Sequence, residues 1–489
     1  MKYKYYLYIA IGFLLSACQI EDENAPSPDE AFIKYFGELT SYEAKDIEIV
    51  YDVIGVNPIG LVVFGTQVSE NGDTDFFVLR TDLDGNLIDS VSLGVSDTLA
   101  IFDEEGEFVP GGDTLADDWT GDGVADRFRA EETAGQIHVI NDFRNGRPGF
   151  AIIGTSSITI NALGISDWKQ FSFGFLDADL NPVTFDGDSL IAFADATEDE
   201  FLDFLGNDII QLNDGSFLLV GAREIDRGGG DSDFDNYFLK VNPVLERIVF
   251  EETQGIAGDD EEDIAMRAFE KSNGNLVMIG HSNTPSLRGE NFGSNGTNVF
   301  YLETDENGTP FNSAAYGIDD SRDPTDATVY NETVSDVIKS SSGFSIVGTS
   351  STSGNEEFAF IMNLSNNGVY LNGSNHHFSA YNDESNTLET LGKGITQSID
   401  NKLIMLGQYL SFNSGNLSRG GEGMFVKFSQ GSAPVAGAES FFGLADGNDT
   451  VVDAVTLPDG KIVAVANVDF GGGVKLISII KLNDDGSLD

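Results

Sequence analysis

Asp118, Thr120, Asp122, the carbonyl of Val124 and Asp126, in the string "DDWTGDGVADRF", put oxygen at positions one, three, five, seven and nine of a short loop. Gly123 stands at position six, where such a loop turns sharply. Oxygen ligands at alternate positions curl inward around a hard cation, the arrangement of a calcium-binding loop. Thr120 replaces the usual acid or amide, and position twelve is Arg129 rather than Glu. The string therefore reads either as a compact calcium loop that orders its surroundings or as a plain acidic turn.

Other reactive side chains are sparse. His138, His281, His376 and His377 are the only histidines and lack metal spacing. The adjacent pair reads as a surface or hairpin feature, because neighbours on a strand point to opposite faces. Asp231, Asp233 and Asp235 follow three glycines and read as a flexible acidic loop. Trp119 and Trp168, each expected in an insertion loop, are the candidate contacts for a glycan or a protein partner, with Tyr316, Tyr330 and Tyr381 in support. No set of acids stands out as a catalytic pair among 81 acidic residues, so the expectation is a non-enzyme.

The formal charge is −55, from 81 acidic against 26 basic residues. Such a surface repels nucleic-acid phosphates and anionic lipid headgroups. It suits divalent cations, cationic partners or a saline exterior, and it keeps a protein in solution. An apolar fraction of 40% is that of a globular chain, and 56 glycines with 36 phenylalanines favour short strands and turns over helices.

The N-terminus reads as a processing signal over residues 1–17. Lys2 and Lys4 precede an apolar stretch, Tyr5 to Leu15, too short to span a bilayer. It ends in Leu15-Ser16-Ala17-Cys18, which resembles the lipobox of bacterial lipoproteins. The resemblance implies cleavage before Cys18, the only cysteine in the chain, and a covalent lipid on it. Acyl chains there would hold the protein on the outer membrane without a spanning helix. The acidic run after Cys18, Gln19 to Asn24, resembles the surface-export signal of lipoproteins in Bacteroidota and implies an extracellular position. Residues 18–30 then form the lipidated cysteine and a tether, which reaches at most roughly 40 Å.

The elements that must carry these residues repeat. "LVVFG" ends at Gly65, "FAIIG" at Gly154, "FLLVG" at Gly221, "LVMIG" at Gly280, "FSIVG" at Gly348, "LIMLG" at Gly407, and "IVAVA" at Ala466. The steps are 89, 67, 59, 68, 59 and 59 residues, which makes a repeat the dominant signal. Each unit reads as four strands. The first opens on Asp46, Asp208, Asp263, Asp336 or Asp453, and a two-residue hairpin turn such as Asp214-Gly215 leads to the strand that ends in Gly. Four short antiparallel strands repeated seven times predict an all-β, seven-bladed β-propeller over residues 31–489, with an insertion at 95–133 between the first two blades. The last unit lacks its fourth strand, and "FIKYFG", residues 32–37, matches the missing piece. The N-terminal strand should therefore close the ring, which removes open edges.

The phrase resembles a bacterial family of propeller repeats of the form Asp-strand-DGG-strand-Gly, then K-x-D-x-x-G. The resemblance implies the fold and an extracellular repeat module, and it carries no catalytic residue. Length variation falls in the loops after the second strand and between blades, including 155–169 and 223–236, all on one face. Variable loops on a rigid scaffold are where binding usually sits. The reading is a surface lipoprotein that binds an outer-membrane protein as an accessory subunit of a transport, secretion or assembly complex. The alternative is a glycan-binding lipoprotein of a polysaccharide-uptake system, with a propeller hydrolase behind both.

Overall fold

The apolar repeat phrases are buried on both sides, and this dictates the architecture. In the second strand of blade one, Pro58–Val68, the side chains of Leu61, Val62, Val63 and Phe64 are all buried. Leu61 and Val63 pack with residues of the last blade, and Val62 and Phe64 with residues of the second. Phe217 to Val220 divide in the same way between the blades on either side. A strand whose two faces both enter a core cannot show polar alternation, which is why the phrases read as continuous apolar runs. Burying each such side chain contributes about 1.5–3 kcal/mol.

The computed structural model describes residues 31–488 with gaps at 39, 53, 69–71, 95–100, 103–107, 110–128, 145–146, 161–164, 184–190, 194–201 and 227–231. Further gaps fall at 243–247, 257–261, 284–295, 318–329, 353–355, 372–375, 379, 382–386, 411–420, 429–433 and 444–446. Cys18 and the calcium-loop residues Asp118, Trp119, Thr120, Asp122, Val124 and Asp126 lie outside the described residues.

The chain is a seven-bladed β-propeller of four-stranded antiparallel sheets. The innermost strands are Tyr42–Tyr51, Arg129–Arg144, Phe204–Gln211, Asp263–Glu270, Tyr330–Lys339, Thr387–Gln397 and Thr450–Thr456. Each touches the next, and the seventh touches the first. A short strand, Ala380–Tyr381, adds to the inner edge of blade six. Seven apolar clusters are described, one between each pair of neighbouring blades.

Ring closure follows the sequence expectation. Phe32–Phe36 pairs antiparallel with Lys475–Leu482, from Phe32 opposite Lys481 to Phe36 opposite Ile477. Blades two and five, which lack the fourth-strand phrase, have fourth strands of only three residues, Ile191–Phe193 and His376–Phe378.

Several expectations need correction. The first-to-second turns of blades three, four, six and seven are three-residue loops rather than two-residue ones, while blade five keeps a two-residue turn between Ser340 and Gly343. Leu212 N–H donates to the Ser216 carbonyl and Gly215 N–H to the Leu212 carbonyl, with Gly215 at φ 86°, so a type I turn is completed by a left-handed glycine. The insertion ends earlier than 133, because the first strand of blade two starts at Arg129. The stretches 155–169 and 223–236 are largely strand: Arg147–Ile160 meets Ile165–Leu176, and Phe217–Asp226 meets Ser232–Val241. Asp233 and Asp235 therefore stand on a strand, opposite Ile225 and Arg223, and not in a loop.

The repeated glycine does not end its strand; Pro58–Val68 continues three residues past Gly65. Every innermost strand carries a bulge, as between Ala44 and Asp46 or Gly206 and Asp208, and the repeated glycine faces it in six blades, Ala466 in the seventh. A Cβ at Gly65, Gly221 or Gly280 would overlap the carbonyl oxygen of Glu43, Leu205 or Ile264. The bulge pushes that carbonyl toward the second strand, and at these positions glycine leaves room for it, whereas the blade-seven bulge accommodates Ala466.

Candidate functional site

The bulges also place a ring of side chains around the axis. The residue completing the bulge is Asp46, Asp208, Arg267, Asp336, Gly394 and Asp453 in blades one and three to seven, and in blade two Gly135 and Gln136 fall outside the register before Ile137. The four acids act alike. Asp208 accepts from its own neighbour, Ile209 N–H, at 3.0 Å and from Ala268 N–H of the next blade at 2.7 Å. Asp336 does so with Val337 at 2.7 Å and Ile395 at 2.9 Å, and Asp46 with Ile47 at 2.9 Å and Ile137 at 2.8 Å. Asp453 accepts from Ala454 at 2.8 Å and from Ile47 at 3.2 Å, across the junction between the last blade and the first. A bulge leaves backbone N–H groups unpaired in its own ladder, and these carboxylates pair them across the blade gap. Asn207 and Ser335 add bonds in the same direction, to the carbonyls of Ala265 at 2.7 Å and Gly392 at 2.8 Å.

Arg267 takes the ring position in blade four. Its Nε donates to Asp336 Oδ1 at 2.8 Å, and its guanidinium lies 3.6 Å from Asp208 Oδ1. Burial opposes the Arg267 charge, yet the carboxylates of Asp336, Asp208, Asp46 and Asp453 outweigh it and hold the group above its ordinary value. Those fields come from blades one, three, five and seven, so Arg267 is held by acids from four blades. Asp453 is pushed well above the usual carboxylate range by burial, by the charges of Asp46 and Asp336, and by its hydrogen bond with Asp46. Asp208 rises to about 6 through burial, opposed by Arg267.

Two residues beyond Asp46, Glu48 accepts from Val139 N–H at 2.8 Å and lies 3.9 Å from His138. Burial and the Asp46 charge raise Glu48 to about 8, and burial lowers His138 to about 4. Glu48 keeps 34% of its side-chain surface open although protein surrounds it, as a group on the wall of a narrow axial space does. Burial likewise lowers the ammonium groups of Lys45 and Lys393.

Of the acids singled out in the sequence, Asp46, Asp208, Asp336 and Asp453 meet at this ring. Asp263 does not; it accepts from Ile256 N–H at 2.7 Å, away from the ring position that Arg267 occupies. The sequence does carry a signal for Arg267. Asp208, Arg267, Asp336 and Asp453 each stand seven residues before a positive-φ glycine of the following turn, Gly215, Gly274, Gly343 and Gly460.

Trp168 is not an open platform. It lies on the third strand of blade two with 7% exposure, and its indole N–H donates to the Leu202 carbonyl at 2.9 Å. Tyr316 is buried as well, with its hydroxyl donating to the Gly368 carbonyl at 2.7 Å. His376 and His377 sit on the fourth strand of blade five. Among the described residues no three His, Cys, Asp or Glu side chains form a metal site.

No protein-family model matches the chain, and no curated protein matches it. Similar solved structures include the intramolecular trans-sialidase from Ruminococcus gnavus in complex with oseltamivir carboxylate, at 10% identity over 94% of this chain and 98% of that chain, with a TM-score of 0.39. An ulvan lyase bound to -[GlcA(1-4)Rha3S]- matches at 10% identity over 79% and 84%, with a TM-score of 0.36. The endo-arabinase from Bacteroides thetaiotaomicron matches at 11% identity over 55% and 91%, with a TM-score of 0.27. Likenesses of this order assign no activity to the chain.

A second feature lies on the tight-turn face, away from the axis. A cleft of about 880 Å³ opens between blades four and five, bounded by the turns at 271–275, 340–343 and 365–369.

Proposed function

We propose that the protein is a surface-exposed outer-membrane lipoprotein, anchored through a lipid on Cys18. In this reading it acts non-enzymatically as a binding subunit docked on an outer-membrane transport, secretion or assembly complex. The observation that supports it most is the use made of the axial acids. Asp46, Asp208, Asp336 and Asp453 pair backbone N–H groups between blades, which favours a rigid scaffold over a reactive pocket. A general base needs a lone pair within reach of a substrate proton, and these carboxylates are buried with a backbone N–H on each oxygen.

The closing strand bears on where an anchor would attach. Phe32–Phe36 starts at the tight-turn face, where Phe32 packs over the Gly85 turn of blade one. In this reading the tether, residues 18–30, would join the propeller on that face. Calcium held by Asp118, Thr120, Asp122, the Val124 carbonyl and Asp126 would order the longest of the variable loops.

The test is to solubilise outer membranes in detergent, recover the full-length protein through a C-terminal tag and quantify what accompanies it. One outer-membrane protein at a one-to-one ratio, retained in moderate salt, is the expected result; a lipoprotein recovered alone counts against docking. A second reading, glycan binding within a polysaccharide-uptake system, draws on the cleft between blades four and five.

A further inference from the structure

We infer that the cleft between blades four and five binds a neutral saccharide, with one sugar ring stacked on Phe311 and its hydroxyl groups taken by the surrounding amides and hydroxyls. This deepens the glycan-binding reading and rests on it. The cleft volume, about 880 Å³, lies within the roughly 300–1,000 Å³ of small-molecule sites.

The lining chemistry is unusual for this chain. Most of the surface is acidic, yet the cleft is lined mainly by asparagine and serine. Primary amides and hydroxyls both donate and accept, as sugar hydroxyls do, so each can pair in either sense. Phe311, on the fourth strand of blade four, is 58% exposed and supplies an apolar face for the C–H side of a sugar ring.

The walls are fixed before any ligand arrives. Asn312 Nδ2 donates to the Asn367 carbonyl at 3.3 Å, which ties blade four to blade five. Asn366 Nδ2 donates to the Ser341 carbonyl at 3.1 Å, which joins two turns of blade five. A site held in its binding geometry loses less entropy on binding.

Charge selects against the alternatives. Glu303 at the cleft floor receives Lys271 Nζ at 2.7 Å, Asn275 Nδ2 at 2.8 Å and the Tyr301 hydroxyl at 2.8 Å. Lys271 and Glu303 thus neutralise one another. Lys339 remains, with its Nζ on the Glu270 carbonyl at 2.6 Å, and one lysine is too little for a polyanion on a protein of charge −55. A wholly apolar ligand would strip water from the amide oxygens of the lining without replacing its hydrogen bonds.

The test is affinity electrophoresis of the intact protein through gels containing laminarin, xylan, galactomannan or, as the polyanion, heparin. The expected result is retardation by at least one neutral polymer, weakened about tenfold in Phe311→Ala, the loss appropriate to one stacked ring and its buried area. Asn366→Ala should weaken it too, while Trp119→Ala should not. Phe311 is exposed, so its replacement leaves the core intact, and unchanged circular dichroism checks this. Retardation that survives both Phe311→Ala and Asn366→Ala overturns the cleft but leaves glycan binding standing. Retardation by heparin alone overturns the neutral-saccharide assignment. No retardation by any polymer overturns both.

Discussion

Replacing Asp336 with alanine is the sharpest probe of the axial ring. Its carboxylate accepts from Val337 N–H at 2.7 Å, from Ile395 N–H of the next blade at 2.9 Å and from Arg267 Nε at 2.8 Å. The substitution leaves two buried N–H groups without their partner, at about 1–3 kcal/mol each. It also strips Arg267 of its closest counter-charge, and breaking a buried pair in this way costs about 3–5 kcal/mol. Water entering the axis offsets part of this, and Asp208 still lies 3.6 Å from the guanidinium. The net expectation is a loss of about 4–6 kcal/mol, a large share of a typical folding free energy of roughly 5–15 kcal/mol. Urea unfolding followed by circular dichroism at pH 7 measures it. Hydrogen exchange of the peptide covering Thr387–Gln397 gives a local readout, because the Ile395 amide should lose protection. Asp336→Asn keeps an oxygen for that amide and removes the charge, so it should lose about half as much stability while Ile395 stays protected. A loss below about 1.5 kcal/mol for alanine, with exchange at Ile395 unchanged, would refute the view that these acids hold the blades together.

Other perturbations separate the remaining claims. Gly221→Ala puts a Cβ onto the Leu205 carbonyl and should cost about 1–3 kcal/mol in a denaturation midpoint, whereas Ala466→Gly in blade seven should cost no more than about 1 kcal/mol. Phe32→Ala removes a buried anchor of the closing strand and should destabilise by about 3–5 kcal/mol, with faster exchange along Lys475–Leu482. Glu48 holds its proton more tightly folded, at about 8, than unfolded at 4.5, so the folded state binds more protons across that interval and stability falls as pH rises through it. Above pH 6.5 the buried His138 and His281, held down to about 4, shed their remaining unfolded-state charge, which adds an opposing rise of about 0.4 kcal/mol each that a Glu48 variant shares. Between pH 6.5 and 8.5 the Glu48 share is about 2 kcal/mol, reduced to about 1 kcal/mol because its side chain is a third exposed. Glu48→Gln should flatten that fall in urea midpoints, and an equal fall in the variant would exclude Glu48 as its source.

The fold was largely legible because its signals are local and repeated. Apolar phrases at a regular step, turn glycines, and a fourth strand missing at one end but present at the other required no knowledge of distant contacts. The bulges were not legible, although they left marks. The glycine of "FLLVG" was visible, but its cause is the Leu205 carbonyl opposite, which comes from a different strand. Arg267 was missed because the pattern sought an acid, and Asp263, four residues earlier, supplied one in the wrong place. Trp168 reads as a loop residue only until the strand Ile165–Leu176 is seen to carry it under Leu202.

By itself the sequence determined seven blades, their order and the closing strand, since hydrophobic period and turn chemistry act over a few residues. Only the tertiary structure decided what the acids do. A lone aspartate on an inner strand is chemically the same whether it meets a substrate or a backbone amide. Closing the ring brings Asp46 to Ile137 and Asp336 to Ile395, and sets Arg267 within the field of four carboxylates. Burial at the axis then makes those pairings strong, because little water remains there to compete for them.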